Sequence, residues 1–196
     1  MHYHPIFLDL RGRPCGVVGG GEVATRKVEG LLRAGARITV ISPQVSETIQ
    51  RHVAVGTVCH LKRQYQGGDL KGFFLAYAAT GVAEIDMLMA RDASAHGVLL
   101  NVVDCTALCN FITPAIVQRG DLTIAISTGG KCPGFAKRVR QKIEAFIRPV
   151  YGEALAAVAT QRQALIGESL PGGEARRQRF EEILESAWKE LNKEVG

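Results

Sequence analysis

The chain lacks the long apolar runs and paired cysteines that mark membrane proteins and disulfide-rich secreted proteins. No segment approaches the ~20 uninterrupted apolar residues of a membrane span, and no basic flank precedes an apolar run at the N-terminus, so no signal peptide is predicted. The five cysteines are scattered and odd in number, which favours buried reduced thiols. Neither they nor the five histidines form a ligand cluster, so no metal site is predicted. We expect a cytoplasmic globular protein.

The first part of the chain alternates short apolar runs with helical patterns, which is typical of a parallel α/β sheet. Strands are predicted at Ile6–Leu10, Cys15–Val18, Arg37–Ile41, 57–61, Phe73–Ala78 and Val98–Val103. Helices are predicted at Glu22–Ala34, Ser46–His52 and Glu84–His96. The pattern therefore predicts a Rossmann-like domain over residues 1–112.

After Pro114 the pattern changes. We predict a short helix at Ala115–Arg119, a strand at Leu122–Ser127, a basic helix at Gly134–Ile147, and two helices separated by Leu170–Gly173. Residues 113–148 are too few to bury a core alone, so we expect them to form a small α/β dimerisation region. Residues 149–196 are expected to form a helical C-terminal domain.

A glycine loop follows the second predicted strand and opens the first predicted helix. It has the spacing Gly19-x-Gly21-x-x-Ala24, in the context that makes such a loop a dinucleotide-binding site. The first glycine permits a tight turn, the second lets the backbone approach a diphosphate, and Ala24 allows close packing of helix on strand. The alternative is a tight turn without a ligand.

The acidic residue that normally holds the ribose hydroxyls of NAD is missing. The strand where it is expected ends in Ile41-Ser42-Pro43, and no arginine stands there to receive a 2′-phosphate. The loop therefore indicates a dinucleotide without deciding between NAD and NADP.

Three further features could contribute chemistry. Asp104 follows a predicted central strand, where it could exchange a proton with a substrate or merely cap a turn. The glycine-rich turn around Thr128 could bind an anion, although a plain loop is favoured. The basic segment Lys131–Arg148 could attract nucleic acid, an anionic small molecule or neither.

Five motifs, taken in order, resemble one known family. They are Gly-Val-Val-Gly-Gly-Gly-Glu-Val-Ala-Thr-Arg-Lys (16–27), Gly-Ala-Arg-Ile-Thr-Val-Ile-Ser-Pro (35–43), Asn-Val-Val-Asp (101–104), Asn-Phe-Ile-Thr-Pro-Ala (110–115) and Ile-Ala-Ile-Ser-Thr-Gly-Gly-Lys-Cys-Pro (124–133). Over residues 3–147 the chain is similar to the precorrin-2 dehydrogenase/sirohydrochlorin ferrochelatase part of siroheme synthases. The resemblance implies a homodimeric enzyme that oxidises precorrin-2 to sirohydrochlorin with NAD. Some members of this family also insert ferrous iron into sirohydrochlorin, so the resemblance implies metal insertion as a second activity, with ferrous iron or cobalt as the metal.

The resemblance also implies roles for individual residues. Asp104 would be the catalytic acid/base. The resemblance implies cofactor contacts from Gly21, Glu22, Val23, Ser42 and Pro43. Gly19 and Ala24 of the glycine loop and Thr80 are further candidates for cofactor contacts. An acidic precorrin-2 would suit the basic segment, with Thr128, Lys137, Arg138 and Arg140 as candidate contacts. The chain departs from many relatives at Gly81-Val82, where an acidic run is common.

Two expectations concern the protein as a whole. The chain cannot hold a methyltransferase domain, so a stand-alone enzyme is expected. An alternative from another class is a dinucleotide-sensing binding protein whose basic helix engages DNA or a partner, and such a protein should bind nucleic acid with steep salt dependence.

Overall fold

The computed structural model describes residues 3–167 and 173–195. The chain forms two compact units, Met1–Thr113 and Pro114–Gly196, called here the first and the second unit. Within the described residues, no helix is both long and apolar enough to cross a membrane. The predicted helix break at Leu170–Gly173 falls largely on residues 168–172, which lie outside the described residues.

The first unit contains a five-stranded parallel sheet with the order β3-β2-β1-β4-β5. Its strands are β1 (Pro14–Val18), β2 (Arg37–Ile41), β3 (Val58–Leu61), β4 (Leu75–Ala78) and β5 (Leu99–Val102). Its helices are α1 (Glu22–Arg33), α2 (Glu47–Ala54) and α3 (Ala83–His96). This arrangement confirms the predicted Rossmann-like parallel sheet.

Alternating strand residues supply two cores, one on each face of the sheet. On one face, Val17 and Tyr77 pack with α1 through Ala24, Val28 and Leu31, which recur along one side of that helix. On the other face, the core comprises Val18, Ala76, Ala78, Met89, Ala93 and Leu100, among others. Burial on both faces explains why these strands read as continuous apolar runs.

The predicted first strand was wrong. Ile6–Leu10 has no regular secondary structure, and Ile6, Phe7 and Leu8 are exposed. An apolar run becomes a strand only when a neighbouring strand pairs with it, and the sheet contains no strand from this segment.

The second unit begins with an antiparallel hairpin of β6 (Ala115–Arg119) and β7 (Leu122–Ile126). The predicted helix at Ala115–Arg119 was therefore wrong. Its β-branched Ile116 and Val117 fit a strand, with Val117 buried and Ile116 exposed on opposite faces. Gly120, with φ +55°, permits the tight turn that pairs Arg119 with Leu122.

Three helices complete the second unit: α4 (Pro133–Phe146), α5 (Val150–Gly167) and α6 (Gly173–Val195). Arg119 ties the hairpin to the end of α4, because its guanidinium donates to the carbonyl oxygens of Glu144 (2.9 Å) and Ile147 (2.8 Å). Gly152 lets α5 approach β6, since a Cβ there would lie 2.6 Å from the carbonyl oxygen of Arg119.

All five cysteines are free thiols, as predicted, but only two of them are buried. Cys15 and Cys109 lie in the cores of the first unit, and burial raises the pKa of the Cys15 thiol to about 11. Cys59 and Cys132 are exposed, so the expectation of buried thiols was wrong for these two.

Candidate functional site

The carboxyl ends of four strands bring most of the candidate residues of the first unit to one edge of the sheet. Gly19, Ser42 and Thr80 follow β1, β2 and β4, and Asp104 follows β5. Val18 is in register with both Ile41 and Ala78. The chain order reverses between β1 and β4, and open α/β sheets bind their ligands in the crevice at such a switch point.

The three glycines of the loop differ in whether neighbouring protein atoms leave room for a side chain. A Cβ on Gly19, whose φ is +119°, would lie 2.3 Å from the carbonyl oxygen of Ala79, and one on Gly20 would lie 1.9 Å from that of Gln44. A Cβ on Gly21 would have no protein atom within 4 Å. Packing therefore requires the first two glycines, whereas Gly21 borders open space that a ligand could occupy.

The first turn of α1 has the geometry of an anion site. Gly21 is its N-cap and supplies no side-chain acceptor, and no other side chain of the described residues is found to accept from the first-turn amides. Glu22 is exposed and Val23 is half-buried in this turn. Ala24 is fully buried, as close packing of the helix on the sheet requires. This combination fits the diphosphate of a dinucleotide.

The edge after β2 offers a second surface for the same ligand. Ser42 is buried, its hydroxyl donates to the carbonyl oxygen of Gln44 (2.6 Å), and its own carbonyl accepts from His60 Nε2 (2.9 Å). Pro43 is exposed and borders a cleft of about 440 Å³. The described residues that line this cleft are Pro43, Gln44, Val45, Gln50, His60 and Lys62, none of them acidic.

Thr80 uses its hydroxyl within its own loop. The hydroxyl donates to Asp86 Oδ1 (2.8 Å) and accepts from the amide of Val82 (3.0 Å), which organises the entry to α3. The hydroxyl hydrogen of Thr80 is therefore committed to Asp86, and a cofactor contact from Thr80 would use the remaining lone pair of its hydroxyl oxygen or its backbone.

Asp104 stands at the edge with an uncommitted carboxylate. The amide of the preceding Val103 donates to the carbonyl oxygen of Ala78 (3.0 Å), so the sheet pairing extends to the residue before it. Asp104 itself is exposed and adopts φ +60°, a conformation uncommon for residues other than glycine and often found at functional sites. Its side chain makes no hydrogen bond or ion pair with the residues that the structure describes, so it does not cap the following turn.

Lys27 also lies in this region, although the sequence motifs predict no role for it. Its ammonium lies 4.6 Å from the centroid of the Tyr77 ring and 3.4 Å from Thr113 Oγ1. Burial is the main cause that lowers the pKa of Lys27, and the charge of Asp104 acts weakly in the opposite direction. The sequence feature that could have identified Lys27 is its position as the last residue of the 16–27 motif.

The candidates in the second unit have different environments. Thr128 Oγ1 accepts from the amide of Cys132 (3.2 Å) within a turn that contains Gly129 and Gly130 at positive φ. Lys137 and Arg138 are exposed on α4. Arg140 forms an ion pair with Glu144 one turn later, so part of its charge is already neutralised.

Two family models match the chain. The model of an NAD(P)-binding family matches residues 6–115, and the model of the sirohaem biosynthesis protein central region matches residues 119–145.

Similar proteins are found among curated sequences and solved structures. The siroheme synthase of Methylobacillus flagellatus is 41% identical over 185 residues, covering 94% of this chain and 39% of that protein. The siroheme synthase of Photobacterium profundum is 38% identical over 191 residues, covering 97% of this chain and 40% of that protein. The chain thus spans about two fifths of these relatives. The solved structure of SirC, precorrin-2 dehydrogenase, matches with a TM-score of 0.83 and 26% identity, covering 97% of this chain and 100% of that chain.

Proposed function

Since the chain belongs to the NAD(P)-binding family that is matched over residues 6–115 and is similar to siroheme synthases, we propose that it oxidises precorrin-2 to sirohydrochlorin with NAD. The structural similarity to SirC, precorrin-2 dehydrogenase, over nearly the whole chain supports this reaction. The observation that carries the proposal is the uncommitted carboxylate of Asp104 at the same sheet edge as the uncapped glycine loop.

The residues around the switch point fit the cofactor. The first-turn amides of α1 and the open space beside Gly21 would accommodate the diphosphate, and Ser42 and Pro43 would border the adenosine. Adjacent strands of a sheet are about 4.8 Å apart, so Asp104, two strands from β1, lies about 10 Å to the side. A bound substrate could then lie beside both the cofactor and this carboxylate.

The reaction requires a proton acceptor as well as a hydride acceptor. NAD supplies the hydride acceptor when it is bound. Each hydride that leaves precorrin-2 must be accompanied by a proton, and the exposed Asp104 carboxylate can accept that proton and pass it to solvent. Its positive φ turns this side chain away from the regular strand geometry at the end of β5.

The test is an anaerobic assay of NADH formation from precorrin-2 and NAD. Asp104→Asn keeps the size of the side chain and removes the base, so we expect kcat to fall by about 100- to 10,000-fold while the Kd of NAD is unchanged. Asp121→Asn, in the exposed turn of the hairpin, is the matched control and should retain activity. Absence of NADH from the unaltered protein would refute the dehydrogenase. Full activity of Asp104→Asn would remove only Asp104 from the mechanism.

The proposal includes a homodimer formed through the second unit. The exposed apolar side chains of that unit include Ile116, Phe135, Phe146, Leu155 and Trp188, and burying them against a second copy would be favourable. Ile116→Asp should therefore give a monomer in sedimentation equilibrium, whereas Gln66→Asp, at an exposed position of the first unit, should leave the dimer intact. A monomeric unaltered protein would contradict this part of the proposal. Thr128, Lys137, Arg138 and Arg140 remain proposed contacts for the substrate carboxylates.

Metal insertion into sirohydrochlorin is a second proposed activity, supported by the similarity to siroheme synthases. The macrocycle nitrogens would bind ferrous iron or cobalt, and Asp104 would accept the pyrrole protons that the metal displaces. Incubating sirohydrochlorin with either ion, with and without the protein, tests this activity by the absorption change of the macrocycle. Equal rates in both samples would contradict it.

The proposed location is the cytoplasm. Two exposed free thiols, Cys59 and Cys132, are compatible with a reducing compartment.

A further inference from the structure

Lys27 is a half-buried cation without an ionic partner. Its side chain leaves α1 toward β4, and its ammonium lies over the Tyr77 ring and beside Thr113 Oγ1. No ion pair to Lys27 is found among the residues that the structure describes. A partly desolvated charge is costly unless a partner compensates it. The position therefore suits a group that pairs with an anion supplied from outside the chain.

The hydrogen-bond inventory around Lys27 also favours an anion. The cluster contains two contacts, Lys27 Nζ to Thr113 Oγ1 and Tyr77 Oη to Thr113 Oγ1, both 3.4 Å long. An ammonium and two hydroxyls carry five donor hydrogens, and the two contacts use two of them. Two N–H groups and one hydroxyl hydrogen are left for an external acceptor. A carboxylate, which only accepts hydrogen bonds, is complementary to such a cluster.

Packing and hydrogen bonds within the first unit hold the residues around Lys27 in place. Tyr77 is buried in β4 and contacts Phe111 edge-on, with ring centroids 5.6 Å apart. The carbonyl oxygen of Phe111 accepts from Asn101 Nδ2 (3.0 Å), which joins the segment after Asp104 to β5. Such support limits the freedom of the donors, so a ligand would lose little free energy in ordering them.

The strand register links Lys27 to the proposed reaction. Its neighbour Tyr77 pairs with Asn101 of β5, and Asp104, the proposed proton acceptor, follows Asn101 by three residues. Three residues of extended chain span about 10 Å. An anionic substituent bound by Lys27 could therefore belong to a molecule that also reaches Asp104.

We propose that Lys27, Tyr77 and Thr113 form a subsite that binds a carboxylate side chain of the substrate macrocycle. The identity of the ligand rests on the proposed function, because precorrin-2 carries carboxylates around its ring. The other possible anion is the diphosphate of NAD. Lys27 lies five residues beyond Glu22, about 7.5 Å along the helix axis from the first turn, which favours the substrate.

The first experiment separates the kinetic constants of Lys27→Met, which removes the charge at similar length. We expect the KM for precorrin-2 to rise by about 10- to 100-fold, as for loss of one charge-assisted hydrogen bond, with the Kd of NAD unchanged. Lys27→Arg should recover much of the loss, and Tyr77→Phe should raise KM less. Lys71→Met, at an exposed loop position, is the matched control. An unchanged KM would refute the subsite, and a raised Kd of NAD would assign it to the diphosphate.

The second experiment does not depend on turnover. Lysines are labelled biosynthetically with ¹³C at Cε, which leaves the ammonium groups intact. The Lys27 signal is assigned by its absence from Lys27→Arg, and the protein is titrated with sirohydrochlorin or NAD. We expect sirohydrochlorin, but not NAD alone, to shift the Lys27 signal. An active enzyme whose Lys27 signal does not respond to sirohydrochlorin would refute the subsite alone. An inactive protein whose Lys27 signal does respond would refute the dehydrogenase and leave the subsite.

Discussion

The first and second units differ in how completely they bury their apolar side chains. The first unit has a core on each face of its sheet, and every residue of β4 is buried. Among the described residues of the second unit, the buried apolar side chains are Val117, Ala136, Leu165 and Leu191. Several large ones, including Phe146 and Trp188, remain exposed in the single chain.

This difference indicates that the two units have different functions, catalysis in the first and assembly in the second. A unit with two closed cores can hold the glycine loop and Asp104 in fixed positions, as a catalytic edge requires. A unit with a sparse core gains stability when another surface covers it, which is the physical basis for the proposed dimer. The cofactor chemistry and the assembly are thus expected to depend on different halves of the chain.

The largest expected effect compares one leucine from each unit. Leu100→Ala empties a fully buried position in β5 and should lower the free energy of unfolding by about 2–5 kcal/mol. Leu155→Ala removes a side chain that is 37% exposed in α5 and should cost less than about 1.5 kcal/mol in the monomer. Urea titrations of both variants measure these costs. Equal losses at low protein concentration would contradict the contrast between the units.

A second comparison separates packing from cofactor binding within the glycine loop. Gly20→Ala places a methyl group against the backbone of Gln44 and should lower the free energy of unfolding by about 1–3 kcal/mol. Gly21→Ala meets no protein atom, so it should cost less than about 1 kcal/mol. It should nevertheless weaken NAD binding by about 10-fold or more, since its methyl group occupies the space assigned to the diphosphate.

Calorimetry with NAD distinguishes the two glycine variants. Binding of NAD to Gly21→Ala with the affinity of the unaltered protein would remove Gly21 from the cofactor site.

The smallest expected effect is a pH dependence of stability due to Lys27. Burial lowers the folded-state pKa of Lys27 below its ordinary value of 10.5, so between these two values the unfolded chain holds more protons. At neutral pH the charged Lys27 therefore destabilises the folded protein. This destabilisation becomes smaller as the pH rises toward 10.5. The stability of Lys27→Met relative to that of the unaltered protein should therefore be highest at neutral pH and should decline as the pH rises.

Thermal unfolding of both proteins from neutral to alkaline pH measures this difference. A gap that is constant with pH would show that Lys27 has the same pKa in both states.

Much of the first unit could be predicted from local patterns. β2 has the predicted bounds Arg37–Ile41, and α1 begins at the predicted Glu22, because apolar periodicity and the glycine loop both act locally. Ile6–Leu10 and Ala115–Arg119 were misassigned because their conformation depends on whether another strand pairs with them. The roles of Asp104 and of the glycine loop stay predictions, although both lie at the expected edge.

The sequence alone determined the parallel sheet, the glycine loop between the first sheet strand and the first helix, and the position of Asp104 directly after a strand. The prediction that this strand is central was wrong, because β5 is an outermost strand of the sheet. These features follow from periodicity and from the backbone freedom of a few residues, which each segment carries by itself. Only the tertiary structure decided that Ala115–Arg119 is a strand, that Asp104 caps no turn formed by the described residues, and that Lys27 contacts Tyr77 and Thr113. Those contacts join residues up to 86 positions apart, and no local pattern specifies which distant side chains will meet.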